Sequence, residues 1–484
     1  MTSDLQTKLA TQDILERSSN QPIYLSSIEV VGGETFSSNF FKKILSPLSE
    51  KSDYTLGQLL QKIDISYGRL MKTDVFKTVD ITLHSDYAKS LPKVASYNNE
   101  PSIPTKVVFD LSSVALNCGQ AFLNLNNDDI LNVNLNYLNN NFFENAEMIN
   151  LGVNYNPYKP NQHLFSNGKL ALNLPNPSFK LLTDFYNTNS NNQSWQQSTE
   201  HTSGLFSGLQ YISNCKKFTG VLGLSVDKRS LTDIHDGASD DLKFFGGDFL
   251  RKAIVNQLSY TNLSYLNTIT RNFPTDGYLV QVSNEIATNQ EASTNADSGS
   301  SNPASFVKSS ISTDVFKSLF NNAITTHFSL DMGGIFSKSE KFPTHPSDRF
   351  YLGGYNSFRG FTKNSVNQSG GLQFAKASAT IYSKLPSFIY SPVSFKDSKL
   401  QDGRGYEANP LRLYVSGGAG SVSNNILEDN SGIATNVGVG LRYFNNWANF
   451  DIGYFVAKRQ NGETAGIKDG FQFSVSIGGS NSTI

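Results

Sequence analysis

Only two cysteines, Cys118 and Cys215, occur in 484 residues, with no CxxC, zinc-ligand or nucleophile spacing around either, so packing is their expected role. The six histidines are scattered, and neither HExxH nor a Ser/His/Asp arrangement is present. No enzyme, metal or cofactor is expected. Charge of either sign is also missing as an excess: 40 Lys+Arg balance 41 Asp+Glu, a net of -1, which gives no reason to propose nucleic acid as a partner. No stretch approaches the ~18 to 20 apolar residues of a spanning helix, and the hydrophobic fraction is 38% with a mean hydropathy of -0.32. That excludes a helical membrane protein. The first residues, MTSDLQTKLATQDILERSSNQ, lack the apolar centre of a secretory signal, and Asp4, Asp13 and Glu16 argue against an Arg-rich presequence. An organelle reached from the cytosol is expected instead.

What the chain does have is aromatic residues, 34 Phe and 21 Tyr, and a long succession of runs alternating apolar and polar side chains. ILNVNLNYL is the cleanest: Leu131, Val133, Leu135 and Tyr137 point one way and Asn132, Asn134 and Asn136 the other. Sixteen such runs are read between 114 and 480, among them 168–177, 199–212, 368–385 and 448–459. So many consecutive one-faced strands need a second sheet or lipid to cover them. A membrane strand shows lipid only every second residue, so low average hydropathy is compatible with a transmembrane barrel. The even count places both ends of the strand series on one side. The long segments LTDIHDGASDDLKFF and ATNQEASTNADSGSSNP follow odd strands, and tight links near Pro177, Asn321 and Trp447 follow even ones. The long 386–410 connection breaks this pattern.

Ahead of the runs, after a polar lead over 1–22, residues 23–113 read as a small α+β domain. IYLSSIEVVGG is a strand. Ser37 or Ser38 caps a helix with Phe40, Phe41, Ile44, Leu45 and Leu48 on one face, expected to stop at Pro47. Thr55 opens a second helix carrying Leu56, Leu59, Leu60, Ile63, Leu70 and Met71. KTVDITLHSDY and TKVVFDL close the unit as strands. This order, with its IEVVGGETF opening, resembles the POTRA domain. The fold class expected is therefore an α+β POTRA domain followed by an all-β, 16-stranded antiparallel transmembrane barrel over 114–480.

Between Phe350 and Phe361 the chain reads FYLGGYNSFRGF. Gly353, Gly354 and Gly360 permit close backbone approach, so Arg359, flanked by Phe358 and Phe361, can be carried on an inward-folded loop over 337–367. The segment resembles the arginine-glycine-aromatic signature on the sixth loop of BamA-type barrel insertases. Near the end, Lys468, Gly470, Phe473 and Val475 in KDGFQFSV match the β-signal pattern common to mitochondrial barrels. With a single POTRA-like unit, the chain is similar to the mitochondrial branch of the BamA superfamily, the core of the sorting and assembly machinery.

That resemblance implies an integral protein of the mitochondrial outer membrane with its POTRA domain in the intermembrane space. It implies insertion of β-barrel precursors as the activity, lipid as the surroundings, and peripheral subunits on the cytosolic face as partners. A seam between the first and last strands, carrying Gly119, Phe122, Phe473, Val475 and Gly478, would be opened by a precursor's own strand; the glycines, Gly479 included, would weaken it, or merely fray. In the family the loop arginine pairs with an acid on the barrel wall. Here that strand reads LYVSGGAG with Ser416 at the position, and Asp451, between outward-facing Phe450 and Ile452, could substitute or be simply solvated. A protein-translocating or solute-conducting pore of the same barrel type remains the alternative, and a soluble all-β binding protein a second.

Overall fold

The computed structural model describes residues 17–87, 96–97, 100–128, 131–160, 162–265, 273–291, 304–337, 344–385, 411–426, 432–444 and 448–479. The 386–410 connection, the turn at Trp447, the ATNQEASTNADSGSSNP segment from Ala292 to Pro303 and the first sixteen residues of the lead lie outside them.

The N-terminal domain comprises β1 (Pro22–Val31), α1 (Ser38–Ile44), α2 (Ser46–Ser49), β2 (Asp53–Thr55), α3 (Leu56–Lys72), β3 (Phe76–Ser85), the short pair β4 (Ser96–Tyr97) and β5 (Glu100–Pro101), and β6 (Ile103–Ser113). Its sheet runs β2-β1-β6-β3, with β1 and β6 parallel and the other pairs antiparallel. Ser37 caps α1 by accepting the Phe40 N–H, and Thr55 and Gln58 form a capping box on α3. Leu48, Leu59, Leu70, Val107 and Phe109 meet in the core between helices and sheet. Pro47 does not stop the apolar stripe as expected. The first helix ends at Leu45, and Pro47 opens a new short turn, where a missing N–H costs nothing, so Leu48 still reaches the core.

The barrel closes through sixteen antiparallel strands. They are β7 (Asn117–Asn126), β8 (Asn132–Asn139), β9 (Met148–Tyr155), β10 (His163–Asn173), β11 (Phe179–Asn191), β12 (Thr199–Ile212), β13 (Phe218–Thr232), β14 (Gly247–Tyr265), β15 (Pro274–Glu291), β16 (Ala304–Leu319), β17 (Ile324–Ser337), β18 (Gln373–Lys384), β19 (Leu411–Ser423), β20 (Ala434–Phe444), β21 (Ala448–Arg459) and β22 (Gly470–Gly479). A short helix, α4 (Asp240–Phe244), sits between β13 and β14. Every expected strand is present, and the alternation has its expected meaning. On β13, Leu222, Leu224 and Val226 are exposed on the outside while Ser225 and Asp227 are buried within. Two strands move most. β10 begins at His163 rather than 168, because after Leu164 its next two outward positions are Ser166 and Gly168, opposite outward Val153 and Leu151, so the apolar alternation is interrupted there. It ends at Asn173, since Pro175 and Pro177 have no N–H for a ladder. The strand expected from 368 begins at Gln373, because Asn367 to Gly371 still form a turn with Gly370 at φ 71°.

The small domain sits on the turns that follow even-numbered barrel strands. Ala146, from the turn after β8, is buried in the small domain's core. Lys72 reaches Ser178 at 2.6 Å and Asn214 at 2.5 Å, and Asp74 pairs with Lys180 at 3.3 Å and Lys216 at 2.6 Å. The arginine-bearing segment leaves an odd strand, β17, from the opposite rim.

Candidate functional site: the lumenal arginine loop and the seam

The loop over 344–372 folds back into the barrel, and its glycines are the reason it can. Gly353, Gly354 and Gly360 have φ of 129°, 101° and 86°, a region other residues rarely enter. A Cβ on Gly360 would lie 2.8 Å from Ala457 Cβ, and one on Gly353 would lie 2.5 Å from the Thr362 carbonyl. The barrel wall makes matching room. Gly420 faces Leu352, and Gly418 faces Phe358. Phe358 and Phe361 stack at 5.5 Å and complete a buried cluster with Leu352, Val422, Ala434 and Ala457.

That packing delivers Arg359 to Asp451. Nη2 lies 3.0 Å from Oδ2 and Nη1 3.3 Å from Oδ1, a two-pronged pairing. The Tyr414 hydroxyl accepts from Nη1 at 2.8 Å and donates to Asp451 Oδ1 at 2.8 Å. Tyr355 holds the guanidinium from the other side: its hydroxyl accepts from Nη2 at 3.1 Å and its ring lies 4.3 Å away. Arg442 stands 3.7 Å from the same carboxylate. Ser416 lines the lumenal cavity beside this group. It is Tyr414, two positions along the same inward face, that touches the arginine. Burial pushes the Tyr355 phenol up to about 12, so it stays a neutral hydrogen-bonding group.

At the base of the loop Asp348 is buried among cations: Arg229 at 2.8 Å, Arg251 at 3.2 Å, and Lys308 donating to its carbonyl at 2.8 Å. Asn289 donates to its second oxygen at 2.9 Å. Its carboxyl, despite burial, is held well below the usual carboxylate range by the two arginines. Asp227 and Glu285 supply the balancing negative charge around Arg251.

The residues of the KDGFQFSV pattern meet this loop. The Lys468 N–H donates to the Gly360 carbonyl at 2.8 Å, Phe361 bridges to Ile467, and Gln472 accepts from the Gly360 N–H at 3.3 Å. Gly470, at φ 124°, starts β22. Phe473 faces outward, and Val475 pairs with Phe450 on β21 and Leu125 on β7.

β22 and β7 close the barrel through six register pairs among the described residues, from Ser474↔Asn126 to Gly479↔Ala121. The wall opposite is much longer: β14 and β15 pair from Phe249 to Tyr265. Phe122 sits across from Gly478, where a Cβ would lie 2.3 Å from the Phe122 ring and 2.5 Å from the Ala121 carbonyl. Gly478 therefore accommodates an aromatic side chain rather than only loosening the strand. Gly119, expected at the seam, lies on the first barrel strand, β7. It pairs with Tyr137 on β8, and its opposite on the seam would fall beyond Gly479, outside the described residues.

Among known families, the model of the Omp85 superfamily domain matches residues 119–478, nearly the whole barrel. The chain belongs to the Omp85 superfamily. It is similar to a "SAM50-like protein" of Schizosaccharomyces pombe, 24% identical over 98% of this chain and 94% of that one. Among solved structures, a BamA from Haemophilus ducreyi lacking POTRA domains 1–3 superposes with a TM-score of 0.68 at 14% identity, covering 94% of this chain and 84% of that one. CdiB from Acinetobacter baumannii superposes with a TM-score of 0.56 at 14% identity, covering 94% and 74%. These likenesses place an Omp85 barrel behind a POTRA-like domain in an outer membrane.

Sequence reasoning found the arginine and its glycines but passed over Tyr355 and Tyr414. Both stand inside motifs that were legible: Tyr355 within GGYNSFRGF, and Tyr414 between outward-facing Leu413 and Val415, a parity that points it into the lumen.

Proposed function

We propose that this Omp85 protein is an insertase that folds β-barrel precursors and places them in the mitochondrial outer membrane, by strand exchange at the seam between β7 and β22. The observation that carries the reading is the short seam: among the described residues six register pairs join the first and last strands, directly beside a loop laced to the start of β22 through Lys468 and Gln472. A precursor strand pairing with β7 would replace the hydrogen bonds of β22 one for one, so no backbone group is left bare in lipid and no nucleotide is needed. The KDGFQFSV pattern on β22 supports this, since a precursor carrying the same pattern presents the same pairing face. The small domain then lies in the intermembrane space, the loop rim faces the cytosol, and peripheral subunits engage that rim.

A conducting pore is the weaker reading, because the arginine loop and its buried aromatic cluster occupy the lumen. The test is depletion of the protein followed by import of labelled precursors. Stalled barrel precursors with unaffected helical ones support the insertase, and equal loss of both overturns it.

A further inference from the structure

At its upper end β7 does something its backbone cannot. The ladder to β22 stops at Asn126, yet β22 continues through Phe473 to Phe471, whose main-chain groups point toward β7. Asn127 meets them with its side chain: Oδ1 accepts the Phe473 N–H at 2.8 Å, and Nδ2 donates to the Phe471 carbonyl at 3.1 Å. A carboxamide carries the same donor and acceptor as a peptide unit, so this side chain acts as one more residue of ladder. The next residue faces the lumen. The Asp128 N–H donates to Asn126 Oδ1 at 2.9 Å, folding the chain inward, and its carboxylate accepts the N–H of Tyr355 on the arginine loop. A Cβ on Gly354 would lie 2.7 Å from that carboxylate, so the approach requires a glycine there. Tyr355 in turn holds Arg359, Arg359 holds Asp451, and Asp451 is the register partner of Ser474 on β22. The connections return to the strand where they began.

We infer that Asn127 and Asp128 are positioning residues for strand exchange, a latch that ties the occupancy of the seam to the seating of the arginine loop. Asn127 grips the main chain of whichever extended strand lies antiparallel on β7, through a carbonyl at one position and an N–H two positions later, and reads no side chain in doing so. Asp128 passes the state of that grip to the loop through the Tyr355 N–H. When the leading end of β22 lifts, both bonds of Asn127 break, the 127–128 segment is released, and Tyr355 loses its anchor. By reciprocity, unseating the loop loosens the leading end of β22. The role of the latch in insertion rests on the exchange reading proposed above; the coupling itself does not.

Hydrogen–deuterium exchange of the full chain in lipid nanodiscs, without precursor, tests the coupling. Asn127→Ala is expected to raise exchange at Phe473 and, across the link, at Tyr355 by about ten-fold, the loss of one hydrogen bond. Asp128→Ala is expected to raise both in the same way, and Asp128→Asn, which keeps an acceptor, to restore both. β14 serves as the folding control, and a Leu125→Cys/Val475→Cys seam bridge added to Asn127→Ala should return Tyr355 to its protected state. If each variant changes only its own segment, or the bridge leaves Tyr355 unprotected, the latch is overturned. Coupled exchange in a protein whose depletion leaves barrel precursors unaffected supports the latch and overturns only the insertase reading. Stalled precursors with uncoupled exchange do the reverse.

Discussion

Arg359 and Asp451, ninety-two residues apart in sequence, meet inside the barrel with Nη2 3.0 Å from Oδ2. The pair is shielded by Tyr355, Tyr414 and Phe455, and it joins a loop from one rim to the wall strand next to the seam.

Removing one partner of that pair strands a charge in a poorly solvated place. Arg359→Ala is expected to cost about 3 kcal/mol of loop docking, read as protease cleavage between 350 and 362 in an otherwise folded barrel. Arg359→Lys keeps the charge but not the planar fork stacked on Tyr355, and should recover only part of the protection.

Glycine substitutions separate strain from fraying. Gly360→Ala places a Cβ 2.8 Å from Ala457 Cβ at φ 86° and should cost about 1 to 3 kcal/mol of loop seating. Gly478→Ala should push Phe122 away and lower the thermal stability of the seam. Gly119→Ala meets nothing within 4 Å and is expected to leave both unchanged. A large loss at Gly119 would show that flexibility at that end of β7 matters more than packing.

Acid should loosen the loop at its base. His345 lies edge-on against the rings of Phe245 and Phe249 at 5.0 and 5.3 Å, and burial pushes its imidazole down to about 3, with Asp348 opposing. Between that value and the ordinary 6.5, the undocked chain binds a proton that the docked one does not, so stability falls as pH falls through 6.5. The loss reaches about 2 kcal/mol at pH 5. Asp348 adds nothing to this loss at pH 5, since its own contribution is lost only below the usual carboxylate range. Trp195, edge-on to Tyr351 at 5.0 Å, reports undocking by fluorescence, and His345→Gln should flatten the pH dependence.

Much of this architecture was legible because a lipid-facing strand writes itself as a period of two. ILNVNLNYL and the 199–212 and 448–459 runs are strands where the alternation puts them. Legibility fails where the physics stops depending on that period. Phe165 on the lumenal parity of β10 and Ser166 on the outward one hide its start. Pro47 reads equally as a stop or a start. Arg359 announced itself through three glycines. Its surroundings did not, because Tyr414, Asp451 and Gln472 come from three strands that only the barrel register brings together. Asn127 and Asp128 carried no local pattern at all; the meaning of each lies in a main chain more than two hundred residues away.

The central claim, that precursors enter by exchange at the β7–β22 seam, is tested most directly by closing it. Leu125 and Val475 are register partners with outward parity, so Leu125→Cys/Val475→Cys in a Cys118→Ser/Cys215→Ser background should form a disulfide across the seam. Oxidised mitochondria carrying this variant should fail to insert a labelled barrel precursor, and reduction should restore insertion to the level of the unbridged protein. Insertion at the unbridged rate through a fully bridged seam would contradict the account.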